Sequence, residues 1–334
     1  MRVKPKFFTI LSKEFIFTMN DTAKTKKNQE HLSKPTEKKL KLPLFLELME
    51  DKNLKLERLK ECGNFLSFIS NSQKTKFRLV SGNFCKNRFC PICSWLKARK
   101  NAFEILELLK AIEVKEKLAF IFITLTVPNV PKDKLSDEIT NFNKSFKRLF
   151  ETKEFKAFNK GFIRKLEITY NEERNDYHPH FHLIVAVNKS YFTSRDYMSK
   201  RRLLELWQRA TRNPAITQVD IKPVKMGSIK EVMEIATYSA KQSELYSSKE
   251  VFDGFYEGLY RKKLIVYNGI FKDYRKLQET KQLELNDTGL EEMKEKATEQ
   301  LAYTWQLKEY QEMFHKILTE EEQEKFYSFD VDVD

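Results

Sequence analysis

The sequence predicts an α+β fold in which a sheet is covered by helices on both sides. Three runs rich in β-branched and aromatic residues predict strands, and amphipathic stretches between and after them predict helices. The strand runs carry apolar residues on both faces, as expected for a sheet that is buried on both sides. With 334 residues, of which 41% are hydrophobic, the chain can bury one large core or one core with an appendage.

The predicted elements follow one another along the chain. Pro128 ends the first strand, and residues 183–187 of the third are all apolar. The predicted strands are LAFIFITLTV (118–127), GFIRKLEITY (161–170) and HFHLIVAV (180–187), and the predicted helices lie at 135–158, 194–212, 228–246 and 301–322. Leu44 to about Lys110 is predicted to be helical with a Cys-containing loop.

These patterns divide the chain into four segments. Residues 1–42 are predicted to form a flexible basic arm, because 20–41 has almost no large apolar side chain to offset the entropy of ordering. Residues 43–110 form a helical, Cys-containing candidate zinc element, and residues 111–276 hold the predicted sheet. Residues 277–334 are predicted to be a charged linker, a helix and an acidic tail.

The charge of the chain favours a polyanionic partner. A formal net charge of +13 concentrates nucleic acid near the surface, although 48 acidic residues among 61 basic ones also fit a merely well-solvated surface. The apolar run near the start is interrupted by Lys13 and Glu14, which argues against a signal peptide or a membrane span. We therefore expect a cytoplasmic protein without a membrane partner.

Three histidines open the third predicted strand. Because side chains alternate along a strand, His180 and His182 project to one face and Phe181 to the other, whereas His178 lies beside Pro179 and has a less predictable direction. An imidazole pair in a buried strand needs partners. The pair is predicted to bind a metal, and the alternative is a pair of core histidines satisfied by hydrogen bonds.

A third ligand is available on the neighbouring predicted strand. Glu167 alternates with apolar residues, so its carboxylate points to one face of that strand. Two imidazoles and one carboxylate leave coordination positions for phosphate oxygens, which suits Mg²⁺ or Mn²⁺. The alternative is that Glu167 is an ordinary solvent-facing residue.

A later helix carries a tyrosine beside charged residues. Ser228 and Glu231 have the spacing of a capping box. Glu234, Tyr238 and Lys241 follow at helical spacing, so one continuous helix would put them on one face. Such a face is also typical of an ordinary solvated helix.

The same three side chains suit nucleophilic chemistry. A tyrosine has a pKa near 10 and attacks poorly at neutral pH without a polarised electrophile and a cation near its oxygen. Lys241 could supply that cation, and Glu234 could activate a water for a later hydrolytic step.

The four cysteines have the pattern C-x22-C-x4-C-x2-C, formed by Cys62, Cys85, Cys90 and Cys93. A cytoplasmic chain keeps its thiols reduced, which argues against disulfides. Four thiolates would complete a tetrahedral structural zinc site. Reduced, buried cysteines are the alternative.

Basic residues interleaved with aromatic ones form candidate DNA-binding surfaces. Cations contact phosphates, and aromatic faces stack on unpaired bases, although a solvated helix face has the same composition. The candidate residues are Arg88, Lys97, Arg99, Arg201, Arg202, Arg261 and Lys262.

Three segments together resemble a known family. FITLTVPN (122–129), HPHFHLIVAV (178–187) and EIATYSAK (234–241) resemble the three motifs of the rolling-circle replication initiators of small Gram-positive plasmids, members of the HUH endonuclease superfamily. The resemblance runs from about Leu44 to about Lys276. It is closest to the Rep group whose third motif pairs one tyrosine with a glutamate four residues earlier, as in Glu234 and Tyr238.

The resemblance implies a central antiparallel sheet flanked by helices, with residues 111–276 as the endonuclease core. It also implies a divalent metal and a nick in one strand of a double-strand origin. Tyr238 would stay bound to the 5′ phosphate, the 3′ OH would prime synthesis, and Glu234 would serve a second cleavage before closure. Plasmid origin DNA, double-stranded and single-stranded, is the implied partner. The sequence has no G-x-x-x-x-G-K-[ST] motif, so a separate host helicase is expected.

Three other functions are compatible with parts of the sequence. A conjugative relaxase or a transposase would use the same chemistry on a different DNA. A zinc-dependent DNA-binding regulator would need the cysteines and no catalytic tyrosine. A metallohydrolase of small phosphoesters would need the histidines and would leave the basic excess without a purpose.

Overall fold

The computed structural model of the protein describes residues 30–52, 56–224, 229–236, 240–279 and 297–327. The chain divides into two units, one formed by residues 98–285 and the other by residues 1–97 together with 286–334. Each unit contains an antiparallel sheet and helices, so the predicted α+β class is confirmed.

The strands of the described residues are β1 (Phe65–Ser70), β2 (Phe77–Gly82), β3 (Leu118–Thr126), β4 (Gly161–Asn171), β5 (Asp176–Asn188), β6 (Val219–Pro223), β7 (Ile265–Gly269), β8 (Glu299–Gln306) and β9 (Glu309–Ile317). The helices are α1 (Glu30–Leu40), α2 (Leu42–Leu48), α3 (Leu56–Lys60), α4 (Pro91–Glu116), α5 (Lys132–Phe150), α6 (Lys153–Phe158), α7 (Lys200–Thr211), α8 (Ile229–Ala236), α9 (Gln242–Leu245), α10 (Lys249–Leu259), α11 (Ile270–Glu279) and α12 (Glu320–Tyr327). Among these helices, none has the length and apolar character that a bilayer crossing requires.

The sheet of residues 98–285 has the strand order β6-β3-β5-β4-β7, and every neighbouring pair is antiparallel. The three predicted strands form its centre, and β5 is buried on both faces over residues 183–187. A continuous apolar run is what a strand between two helical layers requires. The predicted central antiparallel sheet is therefore confirmed.

Helices cover both faces of this sheet. On one face Phe181 stacks on Phe142 of α5, with ring centroids 3.8 Å apart and planes 10° from parallel. On the other face Phe120 of β3 packs against Phe271 of α11. The buried residues of α5 recur every three or four positions, which explains why this amphipathic segment lies flat on the sheet. Glu151 and Thr152 separate α5 from α6, within the single helix predicted at 135–158.

The sheet of the other unit has the order β2-β1-β8-β9. Its core includes Leu66 and Phe68 of β1 packed with Leu301 and Tyr303 of β8. The antiparallel pairing of β1 with β8 places Leu66 opposite Tyr303 and Phe68 opposite Leu301. Residues more than 230 positions apart in the sequence therefore lie in one apolar cluster.

The prediction of a flexible arm over residues 1–42 is wrong for residues 30–42. Residues 30–40 form α1, in which Leu32, Pro35 and Lys39 are buried on one side. Contacts at these few positions hold α1 in place although its average composition is polar. They include hydrogen bonds from the Lys39 ammonium to Cys62 and Asn64. Residues 1–29 lie outside the described residues.

Two helical predictions are also wrong. Residues 44–110 include the β1–β2 hairpin, and the helix predicted over 301–322 is largely the β8–β9 hairpin, with α12 starting only at Glu320. Leu307 and Lys308 turn this second hairpin, and both have positive φ. Pairing with β1 overrides the helix propensity of a segment rich in Glu, Gln and Lys.

A half-buried histidine in α1 predicts a pH dependence of stability. His31 stacks on Phe77 with ring centroids 3.6 Å apart, and its Nε2 lies 3.1 Å from the Tyr303 hydroxyl. Burial lowers the pKa of His31 from 6.5 to about 4. The folded state therefore binds this proton less readily than the unfolded chain. The stability contributed by neutral His31 is present above pH 6.5 and is lost as the pH falls toward 4.

We expect this protonation to lower the free energy of unfolding by up to about 3 kcal/mol, measured by urea unfolding between pH 7 and pH 4. His31→Phe keeps the ring stack and removes the titrating group, so its profile should be flatter than that of the wild type. Parallel profiles for the two proteins would contradict the assignment.

Candidate metal centres

The predicted metal ligands of the first centre lie on the two central strands of the 98–285 sheet. In the β4–β5 register Glu167 is opposite His180, and the next position on the same face pairs Lys165 with His182. The Nε2 atoms of His180 and His182 lie 3.5 Å and 3.0 Å from Oε2 of Glu167. The three side chains can each offer a ligand atom, and these atoms all lie within 4.8 Å of one another.

The remaining imidazole nitrogens have their own partners. Nδ1 of His180 lies 3.2 Å from the carbonyl oxygen of His178, and Nδ1 of His182 lies 3.3 Å from the Thr124 hydroxyl. A hydrogen bond at Nδ1 orients a metal-binding imidazole and leaves the Nε2 lone pair for the ion. Both rings thus have the orientation that a metal ligand needs. Phe181 points to the opposite helical layer, as predicted.

Charge in this cluster keeps the carboxylate ionised. Burial alone would raise the pKa of Glu167, but the adjacent imidazoles of His180 and His182 and the charge of Lys165 lower it well below the usual range. An ionised carboxylate with two imidazoles fits a divalent cation such as Mn²⁺ or Mg²⁺. The ligand side chains keep 12–15% of their surface exposed, so a substrate oxygen could reach such an ion.

The helix that precedes Tyr238 lies against this centre. Glu234 of α8 has a carboxylate oxygen 4.0 Å from Nδ1 of His182. Glu231 is buried and pairs with Lys222 of β6 at 3.2 Å, and its place in a capping box stays a prediction. Ser228, its predicted capping partner, and Tyr238 lie outside the described residues.

The prediction that Lys241 shares a helix face with Glu234 is wrong. Lys241 has an extended backbone (φ −67°, ψ 134°) as the N-cap of α9, and its ammonium lies 3.4 Å from a carboxylate oxygen of Glu244. Glu244 in turn accepts a hydrogen bond from the Tyr170 backbone amide. The segment 229–245 is not one continuous helix, and the spacing argument depended on that continuity.

Two residues of this centre were missed by the sequence analysis. Lys165 is fully buried, and its ammonium lies 3.2 Å from Glu167 Oε2 and 2.7 Å from the Glu234 carbonyl oxygen. Thr124 orients His182. Both lie in predicted strands, so the alternation of side chains could have indicated them. Lys165 is two residues before Glu167 and therefore projects to the same face of β4. Thr124 is opposite His182 on the neighbouring strand β3.

The four cysteines converge in the other unit. The sulfur of Cys62 lies 3.5 Å from those of Cys90 and Cys93, and the sulfur of Cys85 lies 3.6 Å from that of Cys93. Zinc with Zn–S bonds of about 2.3 Å would hold its four sulfurs about 3.8 Å apart. All four thiols are buried, and burial raises the pKa of Cys90. A divalent cation would offset the cost of ionising them, so the cluster fits a zinc ion.

Lys39 and Gly63 lie next to this cysteine cluster. The Lys39 ammonium lies 2.6 Å from both the Cys62 carbonyl oxygen and Oδ1 of Asn64, which brings a positive charge to the thiols. Gly63 has φ +71°, and a Cβ there would lie 2.6 Å from Ile92 Cδ1. The turn after Cys62 therefore favours glycine chiefly for its positive φ, while the Ile92 methyl would have to shift to admit a Cβ.

The predicted DNA-binding residues lie in separate parts of the chain. Arg201 and Arg202 on α7 pair with Glu205 at 3.3 Å and 3.0 Å, and Arg202 also pairs with Glu154. These arginines have acidic partners that a phosphate would have to displace. Arg261 lies over the Tyr260 ring and Lys262 bonds to Thr140, while Arg88 precedes α4 and Lys97 and Arg99 lie on it. A role for these residues in DNA binding stays a prediction.

Comparison with known proteins identifies relatives along most of the chain. The model of the replication protein family matches residues 76–313. The chain is 42% identical over 222 residues to a protein named Protein rep from Staphylococcus aureus, which covers 66% of this chain and 97% of the relative. It is 35% identical over 239 residues to Protein rep of Streptococcus pneumoniae serotype 2, covering 70% of this chain and 74% of the relative.

A third relative, Protein rep of Bacillus amyloliquefaciens, is 33% identical over 246 residues, which cover 66% of this chain and 72% of the relative. No solved structure matches the chain. The resemblance predicted from the three sequence motifs is confirmed at the level of the family, and the chain belongs to the Rep family of replication proteins.

Proposed function

We propose that the chain initiates rolling-circle replication of a plasmid by nicking one strand of its origin DNA. The observation that carries the proposal is the cluster of Glu167, His180 and His182 on the central strands, in a chain of the replication protein family. The net charge of +13 favours a DNA substrate over a small phosphoester.

Glu167, His180 and His182 would hold the divalent ion, for which Mn²⁺ or Mg²⁺ suits the donor set. The bound ion would supply positive charge that polarises the scissile phosphate. Thr124 and the His178 carbonyl would keep the imidazoles in their metal-binding orientation.

Tyr238 is proposed as the nucleophile. Its phenolic oxygen would attack the phosphorus and displace the 3′ oxygen, which leaves as a 3′ OH after taking up a proton. The product is a 5′-phosphotyrosyl diester, and it preserves the energy needed to rejoin the strand later. Lys241 is proposed as the cation that favours the phenolate, and its exposed pair with Glu244 at 3.4 Å would have to open for that role.

Glu234 is proposed to serve the end of the cycle. Its carboxylate lies beside His182 and keeps 33% of its side-chain surface exposed, so a water molecule could reach it. As a general base it would activate that water for a second cleavage. Strand separation would come from a host helicase, because the sequence has no nucleotide-binding P-loop.

The four cysteines are proposed to hold a structural zinc ion. All four cysteines are buried and their sulfurs lie within 4.8 Å of one another, which fits the closed four-thiolate coordination of structural zinc sites.

A nicking assay on supercoiled DNA tests the proposal. A plasmid that carries the cognate origin should become an open circle in Mn²⁺ or Mg²⁺ and stay supercoiled in EDTA or with a scrambled origin. Preferential cleavage of a transfer origin or a transposon end would indicate a relaxase or a transposase instead. Specific binding without cleavage in any metal would indicate a non-catalytic DNA-binding regulator.

A further inference from the structure

We propose that Lys165 is a positioning residue that joins the metal-holding carboxylate of Glu167 to the helix that carries Glu234. The inference rests on the proposed function. The Lys165 ammonium lies 3.2 Å from Oε2 of Glu167 and 2.7 Å from the carbonyl oxygen of Glu234, and its side chain has no exposed surface. One buried cation thus contacts both halves of the proposed site.

The contact with α8 is made to its backbone. The Lys165 ammonium donates a hydrogen bond to the carbonyl oxygen of Glu234. A hydrogen bond from a charged donor is stronger than one between neutral groups. Lys165 therefore ties the backbone of α8 at Glu234 to the carboxylate of Glu167.

The same contact fixes the side chain of Glu234. Its carboxylate is 4.0 Å from His182, and His182 is opposite Lys165 in the β4–β5 register. The carbonyl that Lys165 holds and the carboxylate beside His182 belong to one residue. Loss of the ammonium would release the backbone of α8 at Glu234 together with the carboxylate of that residue.

Stability alone does not account for a lysine at this position. Burying an ammonium is unfavourable because it loses its hydration, and apolar residues of similar volume often replace buried ion pairs without loss of stability. The neighbouring face-sharing position on β4 is Ile163, which is fully buried. A lysine between Ile163 and Glu167 is better explained by its two contacts in the site.

Lys165→Met keeps the length of the side chain and removes its donors, and Lys165→Arg keeps a charged donor. The matched control is Arg164→Met on the opposite face of the same strand. The Arg164 guanidinium is buried over the Phe181 ring at 4.2 Å, and its Nε has no hydrogen-bond partner among the described residues. Removing it deletes a buried cation from β4 without touching the proposed site.

Two measurements are made on each full-length variant: nicking of an origin oligonucleotide, with kcat and KM separated, and hydrogen exchange of the α8 amides. Lys165→Met should lower kcat by about 100-fold with KM within about twofold of the wild type, and it should speed exchange in α8. Lys165→Arg should recover most of the rate. Arg164→Met should leave kcat, KM and α8 exchange unchanged, whatever its melting temperature.

A Lys165→Met protein with wild-type kcat and unchanged α8 exchange would overturn the inference, as would equal losses in Lys165→Met and Arg164→Met. If Lys165→Met does not fold, Lys165→Gln replaces it in the same two measurements. If the wild type binds origin DNA and never nicks it, the proposed function fails. The exchange measurement still decides whether Lys165 holds α8.

Discussion

Replacing His182 with alanine is expected to lower the rate of metal-dependent nicking by at least about 1,000-fold. His182 Nε2 lies 3.0 Å from Glu167 Oε2, and its removal takes away one of three proposed ligands. Two remaining ligands would bind Mn²⁺ weakly, so calorimetry should show a matching loss of Mn²⁺ affinity. Folding should be retained, because the side chain is partly exposed at the edge of the core.

His178→Ala is the matched control for this variant. His178 lies on the same strand and face, but its side chain is not among the three grouped ligands. Its backbone carbonyl, which bonds to His180 Nδ1, survives the substitution. We expect its nicking rate to stay within about fivefold of the wild type. Equal losses in the two variants would contradict the ligand assignment.

Replacing Cys90 with serine is expected to have the largest effect on stability. Zinc sites contribute about 10–16 kcal/mol of apparent binding energy in small zinc domains, so loss of one thiolate removes several kcal/mol from the unit. The purified wild type should release about one zinc ion per chain to a chromogenic chelator, and Cys90→Ser should release far less. The melting temperature should fall by roughly 10 °C or more.

Ser94→Ala is a suitable control, because Ser94 is also buried and follows Cys93 directly. It should keep its zinc and nearly all of its thermal stability. A wild type without zinc, together with a Cys90→Ser variant that melts normally, would instead indicate reduced, buried thiols.

The sequence was sufficient to predict the central sheet and its ligands because both depend on local alternation. β5 reads as a strand from its apolar run, and the parity of His180 and His182 follows from any extended conformation. The partnership with Glu167 needed only one further assumption, that β4 and β5 are neighbours, and their pairing places Glu167 opposite His180.

The elements that were missed depend on contacts between distant segments. β8 is a strand because it pairs with β1, and no local pattern in a Glu- and Gln-rich stretch indicates that partner. Lys165 reads as an exposed residue in KLEITY, since its burial depends on the Glu234 carbonyl of a helix 69 residues away. The prediction that Lys241 shares a helix face with Glu234 was wrong for a related reason. It applied helical spacing up to Lys241, whose backbone has a β conformation.

The covalent attachment site is the most direct test of the proposed mechanism. After nicking of an origin oligonucleotide in Mn²⁺, digestion with trypsin and nuclease should leave a nucleotide on the peptide EVMEIATYSAK, residues 231–241, whose sole tyrosine is Tyr238. Mass spectrometry should find the adduct on that peptide and lose it in Tyr238→Phe. Cleavage without any adduct, or an adduct on a different tyrosine, would contradict nucleophilic attack by Tyr238.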